Sequence, residues 1–229
     1  MDTVKIYFPG PLGDILFCQK IAHKLIEQNF KVHWPNNYPW LANHIKINNL
    51  FWSEPAGPHL VLDLQHSIEK NHPYDVMTCK YETISYMSQC FPEQIHKINW
   101  IDWDKYLIFE RNRESEDNLY YKILGLNDDE EYVFLNEYYS NTILRTGVDS
   151  NIVNKKLKVV RLGIFGGYSL FDWSKVIENA TEIHTVDTSL LFLIEVLNIK
   201  TKILKLYPRT PVDTKKCLSD LFKTNWEWM

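Results

Sequence analysis

Short apolar runs alternate along this chain with stretches of helical period, a pattern that predicts an α/β protein. Val4 to Phe8 reads as a strand, Ile15 to Gln28 as a helix and Lys31 to Trp34 as the next strand, which makes a β-α-β opening. Residues 35–59, rich in Pro, Asn and Trp, read as irregular connection with a short helix around Leu41 to Ile45. The apolar run Leu60-Val-Leu-Asp-Leu-Gln65 predicts a buried strand, and a helix-like run follows through Ile84 and Met87. A charged helix is expected from Arg111 to Leu124, with Leu119, Tyr120 and Ile123 on its apolar face.

The second half repeats the alternation. Strands are expected at Tyr132 to Leu135, Lys158 to Ile164, Ile183 to Val186 and Lys202 to Leu206. Helices are expected from Phe171 to Ala180 with Asp172 as N-cap, from Leu190 to Leu197, and from Asp213 to about Lys223. Leu190, Leu191, Leu193, Ile194 and Leu197 would form one apolar face of the middle helix, with Asp187 as its N-cap and Thr188 and Ser189 in its first turn. Two β/α halves predict two small Rossmann-like lobes facing a cleft, residues 1–108 and 109–229, although no Gly or Ser linker marks the joint.

Composition narrows the function classes. Hydrophobic residues make up 45% of the 229 and charged residues 24%, and no low-complexity tract interrupts them, so the chain is globular. A net charge of -4 without a basic block leaves no electrostatic footprint for nucleic acid. No apolar run reaches the length of a transmembrane segment and the start lacks the regions of a signal peptide, so a cytoplasmic protein is expected. Cys18, Cys79, Cys90 and Cys217 form no zinc pattern, which predicts reduced thiols. If Trp100, Trp103, Trp226 and Trp228 share an exposed face, they predict a homo-oligomer; the carboxyl end, residues 225–229, is expected to dock on the first lobe.

Candidate chemistry gathers at strand ends. Gly10 and Gly13 allow close backbone approach in the first loop, and Asp14 puts a carboxylate at its mouth. The loop lacks a third glycine, and Trp34-Pro35-Asn36 stands where a dinucleotide site would carry an acid, so the spacing does not fit a nicotinamide cofactor. Gln65 and His66 end a strand and are candidates to line a pocket. A helix opening at Asp187, Thr188 and Ser189 offers free N–H groups and hydroxyls to an anion, without a metal.

Two segments together resemble the ADP-heptose:lipopolysaccharide heptosyltransferases. Gly10-Pro-Leu-Gly-Asp-Ile-Leu16 resembles their N-terminal glycine loop, and His184-Thr-Val-Asp-Thr-Ser-Leu190 resembles the Asp-Thr-Gly-Leu turn that holds the donor diphosphate; Leu60 to Gln65 looks like a strand of their first lobe. Ser189 stands where the family has Gly, and Phe192 and Leu193 occupy the region of a His that follows there. Phe171 to Arg209 also looks like uncharacterised glycosyltransferase-like proteins with an Asp-Trp helix and a terminal Tyr-x-Arg.

The resemblance implies a compact GT-B glycosyltransferase of glycan biosynthesis, with a nucleotide-diphosphate sugar and a glycan or other hydroxyl acceptor as partners. It implies Asp14 as catalytic base, once burial or a neighbour tunes it, and inversion at the sugar carbon. For the leaving group the candidates are Asp187, Thr188, Ser189 and Arg209, with Lys80 as a second positive charge, Gly166 and Gly167 as room for the donor and Glu195 within reach of a ribose. No cofactor is expected. A competing reading places Mn or Mg on Asp102-Trp-Asp104, whose period-two spacing would align two carboxylates on an extended segment. The same two-lobed architecture could also serve a non-catalytic nucleotide- or glycan-binding module, or a nucleotide-sugar epimerase.

Overall fold

The computed structural model describes residues 1–8, 10–64, 80–81, 91, 93–139, 142–146, 148, 153, 156–208 and 218–229. The chain divides into two compact units, Met1–Glu110 and Arg111–Met229. Each is built on a parallel sheet of its own.

The first unit carries β1 (Thr3–Tyr7), β2 (Lys31–His33), β3 (Leu50–Phe51) and β4 (Leu60–Asp63) in the order β3-β2-β1-β4. Burial alternates along β1, where Val4 and Ile6 are fully buried between Thr3, Lys5 and Tyr7, as the pleat requires. The predicted first helix is two helices, α1 (Leu12–Phe17) and α2 (Gln19–Glu27), with Cys18 at the break. Ile15, Leu16, Phe17, Ile21, Ala22 and Leu25 bury completely, each large side chain contributing about 1.5–3 kcal/mol by leaving water. Asn29, at positive φ, ends α2. The short helices α3 (Leu41–His44) and α4 (Glu93–His96) also belong to this unit.

The second unit carries β5 (Tyr132–Asn136), β8 (Lys158–Arg161), β9 (Glu182–Val186), β10 (Leu204–Tyr207) and β11 (Glu227–Trp228) in the order β11-β10-β9-β5-β8. A separate antiparallel pair, β6 (Tyr138–Tyr139) and β7 (Thr142–Thr146), lies in sequence between β5 and β8. The carboxyl end joins its own unit's sheet: Lys205 pairs with Glu227 and Leu206 with Trp228. β5 is buried at every position, as befits a central strand of a parallel sheet.

Three helical expectations change in detail. The charged stretch forms α5 (Arg113–Asp117) and then a π-helical segment, Asn118–Ile123, whose wider turn buries Leu119 and Tyr120 but leaves Ile123 exposed. Asp172 is not an N-cap. Ser169 caps a 3₁₀ turn, Leu170–Trp173, and Asp172 at its third position returns the bond to the Ser169 N–H at 2.7 Å, a capping box that leads into α6 (Ser174–Asn179). The helix α7 (Leu190–Val196) is buried on all sides from Leu190 to Ile194, Phe192 included, so its apolar pattern is a core segment and not one face. Of the expected last helix, residues 213–217 lie outside the described residues.

The tryptophans do not form an exposed face, because Trp103 and Trp226 are buried. Among the described residues no helix is long and apolar enough to cross a membrane.

Candidate active-site residues

Each sheet has one point where the strand order reverses, and open α/β sheets bind ligands beside the carboxyl ends of the strands there. In the first unit the reversal falls between β1 and β4, which pair in register from Val4 and Leu60 to Tyr7 and Asp63. Chain geometry brings the sequence's first loop to this place. β1 ends at Tyr7, the helix α1 opens at Leu12 with its N–H donated to the Tyr38 hydroxyl at 3.1 Å, and Asp14 stands in the first helical turn.

Lys80 comes to the same point from far along the chain. Its ammonium donates to the Leu64 carbonyl, just past β4, at 3.4 Å, and lies 3.6 Å from Asp14 Oδ2. It also sits 4.0 Å from the centre of the Phe8 ring. Both charges are largely out of water, with 6% of the Lys80 side chain and 15% of the Asp14 side chain exposed. Burial pushes the Asp14 carboxyl above its usual value, and the charge of Lys80 opposes the rise. Gly10 is required by close approach. A Cβ there would fall 2.1 Å from the Phe8 ring, so any larger residue displaces the ring that Lys80 rests on. Gly13 is buried within the first turn of α1.

In the second unit, counted without the β6–β7 pair, the reversal falls between β5 and β9. Here the sequence reading missed a residue. Asn136, the last of β5, is buried, and its amide donates to Thr185 Oγ1 at 2.8 Å and to Thr188 Oγ1 at 3.0 Å. The signal was a polar residue closing the run Tyr-Val-Phe-Leu-Asn, the same signal that drew attention to Gln65. Asn136 thus ties the strand end to the turn that opens α7. Ser189 holds the cap position in place of Asp187 and makes no side-chain capping bond; the Thr188 hydroxyl accepts from the Leu190 N–H at 3.4 Å instead.

Other expected residues are placed apart. Glu195, near the carboxyl end of α7, accepts the N–H of Lys223 at 2.5 Å and that of Thr224 at 3.2 Å, which ties it to the segment before β11 and away from Thr188 and Ser189 at the helix start. Gly166 and Gly167 form an exposed turn after β8, with Gly167 at φ 88 and open space around both. Asp102 and Asp104 do not lie on an extended segment: Asp102 is left-handed at φ 59, Trp103–Tyr106 is a 3₁₀ turn, and Asp102 pairs with Lys105 at 3.3 Å. The period-two alignment on which a shared metal depended is therefore absent. Among the described residues no group of three or more His, Cys, Asp or Glu is placed to hold a metal. Gln65, His66 and Arg209 lie outside the described residues.

No protein-family model and no curated protein matches this chain. Solved structures do. A glycosyl transferase family 9 protein from Veillonella parvula superposes with a TM-score of 0.52 at 10% identity, over 100% of this chain and 85% of that one. The iron-containing dodecameric glycosyltransferase TibC from enterotoxigenic E. coli gives 0.45 at 11% identity, and TibC in complex with ADP-D-beta-D-heptose gives 0.46 at 10%, each over 89% of this chain and 57% of that one. The first likeness shows the fold: two Rossmann-like α/β units of the GT-B class.

Proposed function

We propose that this chain is a glycosyltransferase that moves a sugar from a nucleotide-diphosphate donor to a hydroxyl of a glycan or other acceptor. The observation that carries the reading is Asp14, a carboxylate at the reversal point of the first sheet whose burial raises its proton affinity beside the Lys80 ammonium. The fold shared with a glycosyl transferase family 9 protein supports it.

In the reaction Asp14 takes the proton of the acceptor hydroxyl as that oxygen bonds to the anomeric carbon. The bond from that carbon to the diphosphate oxygen breaks, and the nucleoside diphosphate leaves with the electron pair. A single base acting in line with the leaving group inverts the sugar carbon. In the second unit the turn Asp187-Thr188-Ser189, held to β5 through Asn136, takes the diphosphate, and Arg209 adds a cation. No metal is needed for this division of roles.

The test is release of free nucleoside diphosphate from UDP-, GDP-, ADP- and dTDP-sugars in chelator. Asp14→Asn should reduce the rate about 10²–10⁴-fold, the usual contribution of a general base. Undiminished release by Asp14→Asn contradicts the assignment. An altered sugar nucleotide returned intact would identify an epimerase, and nucleotide binding without any turnover a binding module.

A further inference from the structure

The glycosyl-transfer reading says what Asp14 does; the structure also shows what holds it. Resting on that reading for the role of Asp14, we propose that Lys80 is its positioning residue: the ammonium, fixed between the Phe8 ring and the Leu64 carbonyl, holds Oδ2 and so orients the carboxylate for the acceptor hydroxyl.

The geometry separates Lys80 from a surface lysine. A lysine on a four-carbon stem ordinarily keeps its charge in water. Here the side chain is 6% exposed, and among the described residues its ammonium lies near three groups from three parts of the chain: the ring of Phe8 at 4.0 Å, the carbonyl of Leu64 at 3.4 Å and Asp14 at 3.6 Å. Phe8 follows β1 and Leu64 follows β4, so the two strands whose pairing defines the reversal point also fix the cation. Next to Lys80 the Tyr81 hydroxyl donates to the Phe17 carbonyl at 2.7 Å, at the end of α1, and anchors this short segment to the helix that carries Asp14. Gly10 leaves the space the Phe8 ring fills. Every part of this arrangement is explained if the position of one carboxylate matters.

Other titratable groups near Asp14 do not compete for the role. Burial pushes the Cys18 thiol and the Tyr81 phenol well up, so both stay uncharged near neutral pH. Among the described residues Lys80 is the charge that opposes the effect of burial on Asp14. At 3.6 Å, slightly beyond a direct hydrogen bond, its ammonium acts on the carboxylate through its charge.

The experiment is an NMR titration of the Asp14 carboxyl carbon in protein labelled at aspartate, with the resonance assigned from its absence in Asp14→Asn. Wild type is compared with Lys80→Met, Lys80→Arg and Phe8→Leu. In Lys80→Met the midpoint should move to higher pH by about one unit or more, a tenfold change in proton affinity. Lys80→Arg should recover part of the shift, and Phe8→Leu, which keeps both charges, should show a smaller shift in the same direction. Where transfer is measurable, the acid limb of its pH profile should move with the carboxyl midpoint. An unchanged midpoint in Lys80→Met, in protein with a native amide spectrum, overturns the proposal. If Lys80→Met does not fold, an unchanged midpoint in Phe8→Leu overturns it. The titration needs no turnover, so a failure of the transferase reading in Asp14→Asn and a failure of the Lys80 assignment are separate results.

Discussion

At the residue scale the decisive object is a buried pair whose partners are 66 positions apart in sequence, Asp14 and Lys80. Removing one member of such a pair leaves the other charged and unpaired, which costs about 3–5 kcal/mol. Lys80→Met should lose that much stability at neutral pH. The sign of its pH dependence follows from Asp14. Burial already raises the native carboxyl above its unfolded value, and loss of Lys80 raises it further, so the native state binds the proton more tightly than the unfolded chain. The stability deficit of Lys80→Met should therefore shrink as pH falls through the raised native values of the Asp14 carboxyl, above the ordinary aspartate value, and urea melts at pH 7 and pH 4 will show it. Gly10→Ala should cost about 1–3 kcal/mol, because its Cβ would meet the buried Phe8 ring at 2.1 Å; a melt indistinguishable from wild type would mean the ring is not held there. Asp14 and Gly10 were legible in the sequence because a glycine loop after a strand is a local signal. The pairing with Lys80 was not, since no periodicity connects residue 14 to residue 80.

At the scale of elements, period and capping carried most of the sheet strands to within a few residues. They failed where local rules are overridden. The break at Cys18 and the π-helical turn from Asn118 to Ile123 leave no mark in the hydrophobic spacing, and the capping box at Ser169 was read one turn late because Asp172 is itself a good capping residue. The start of the second unit is fixed by charge. Arg111 bonds both carboxylate oxygens of fully buried Glu116 on α5 and reaches Glu178 on α6 at 2.7 Å. Arg111→Met should destabilise the second unit by about 3–5 kcal/mol, read as a lower denaturant midpoint. Glu195 ties α7 to the last strand through the N–H groups of Lys223 and Thr224. Glu195→Ala should speed amide exchange at Lys223 and Thr224 while nucleotide binding is unchanged; a loss of binding would return Glu195 to the donor site.

At the scale of the molecule, each unit follows the same rule: a parallel sheet, a reversal of strand order, and polar side chains brought to the strand ends beside it. A buried imidazole, His184, and a half-buried one, His23, add a pH dependence. Burial holds His184, bonded to Tyr207 and Glu182, and His23 below the usual histidine value. Their contribution is present above the unfolded value of about 6.5 and is lost as pH falls through the lower native values. The melting temperature should fall as pH drops below that point, and His184→Gln should flatten the slope.

The proposed function requires the turn at the end of β9 to receive a nucleoside diphosphate without a metal. The sharpest test is calorimetric titration of UDP, GDP, ADP and dTDP in chelator, with wild type and with Asn136→Ala, which removes the bond from β5 to Thr188. Saturable binding of one of them, weakened at least tenfold in Asn136→Ala, is the predicted result. No binding of any of the four in chelator, or binding that Asn136→Ala leaves untouched, would contradict it.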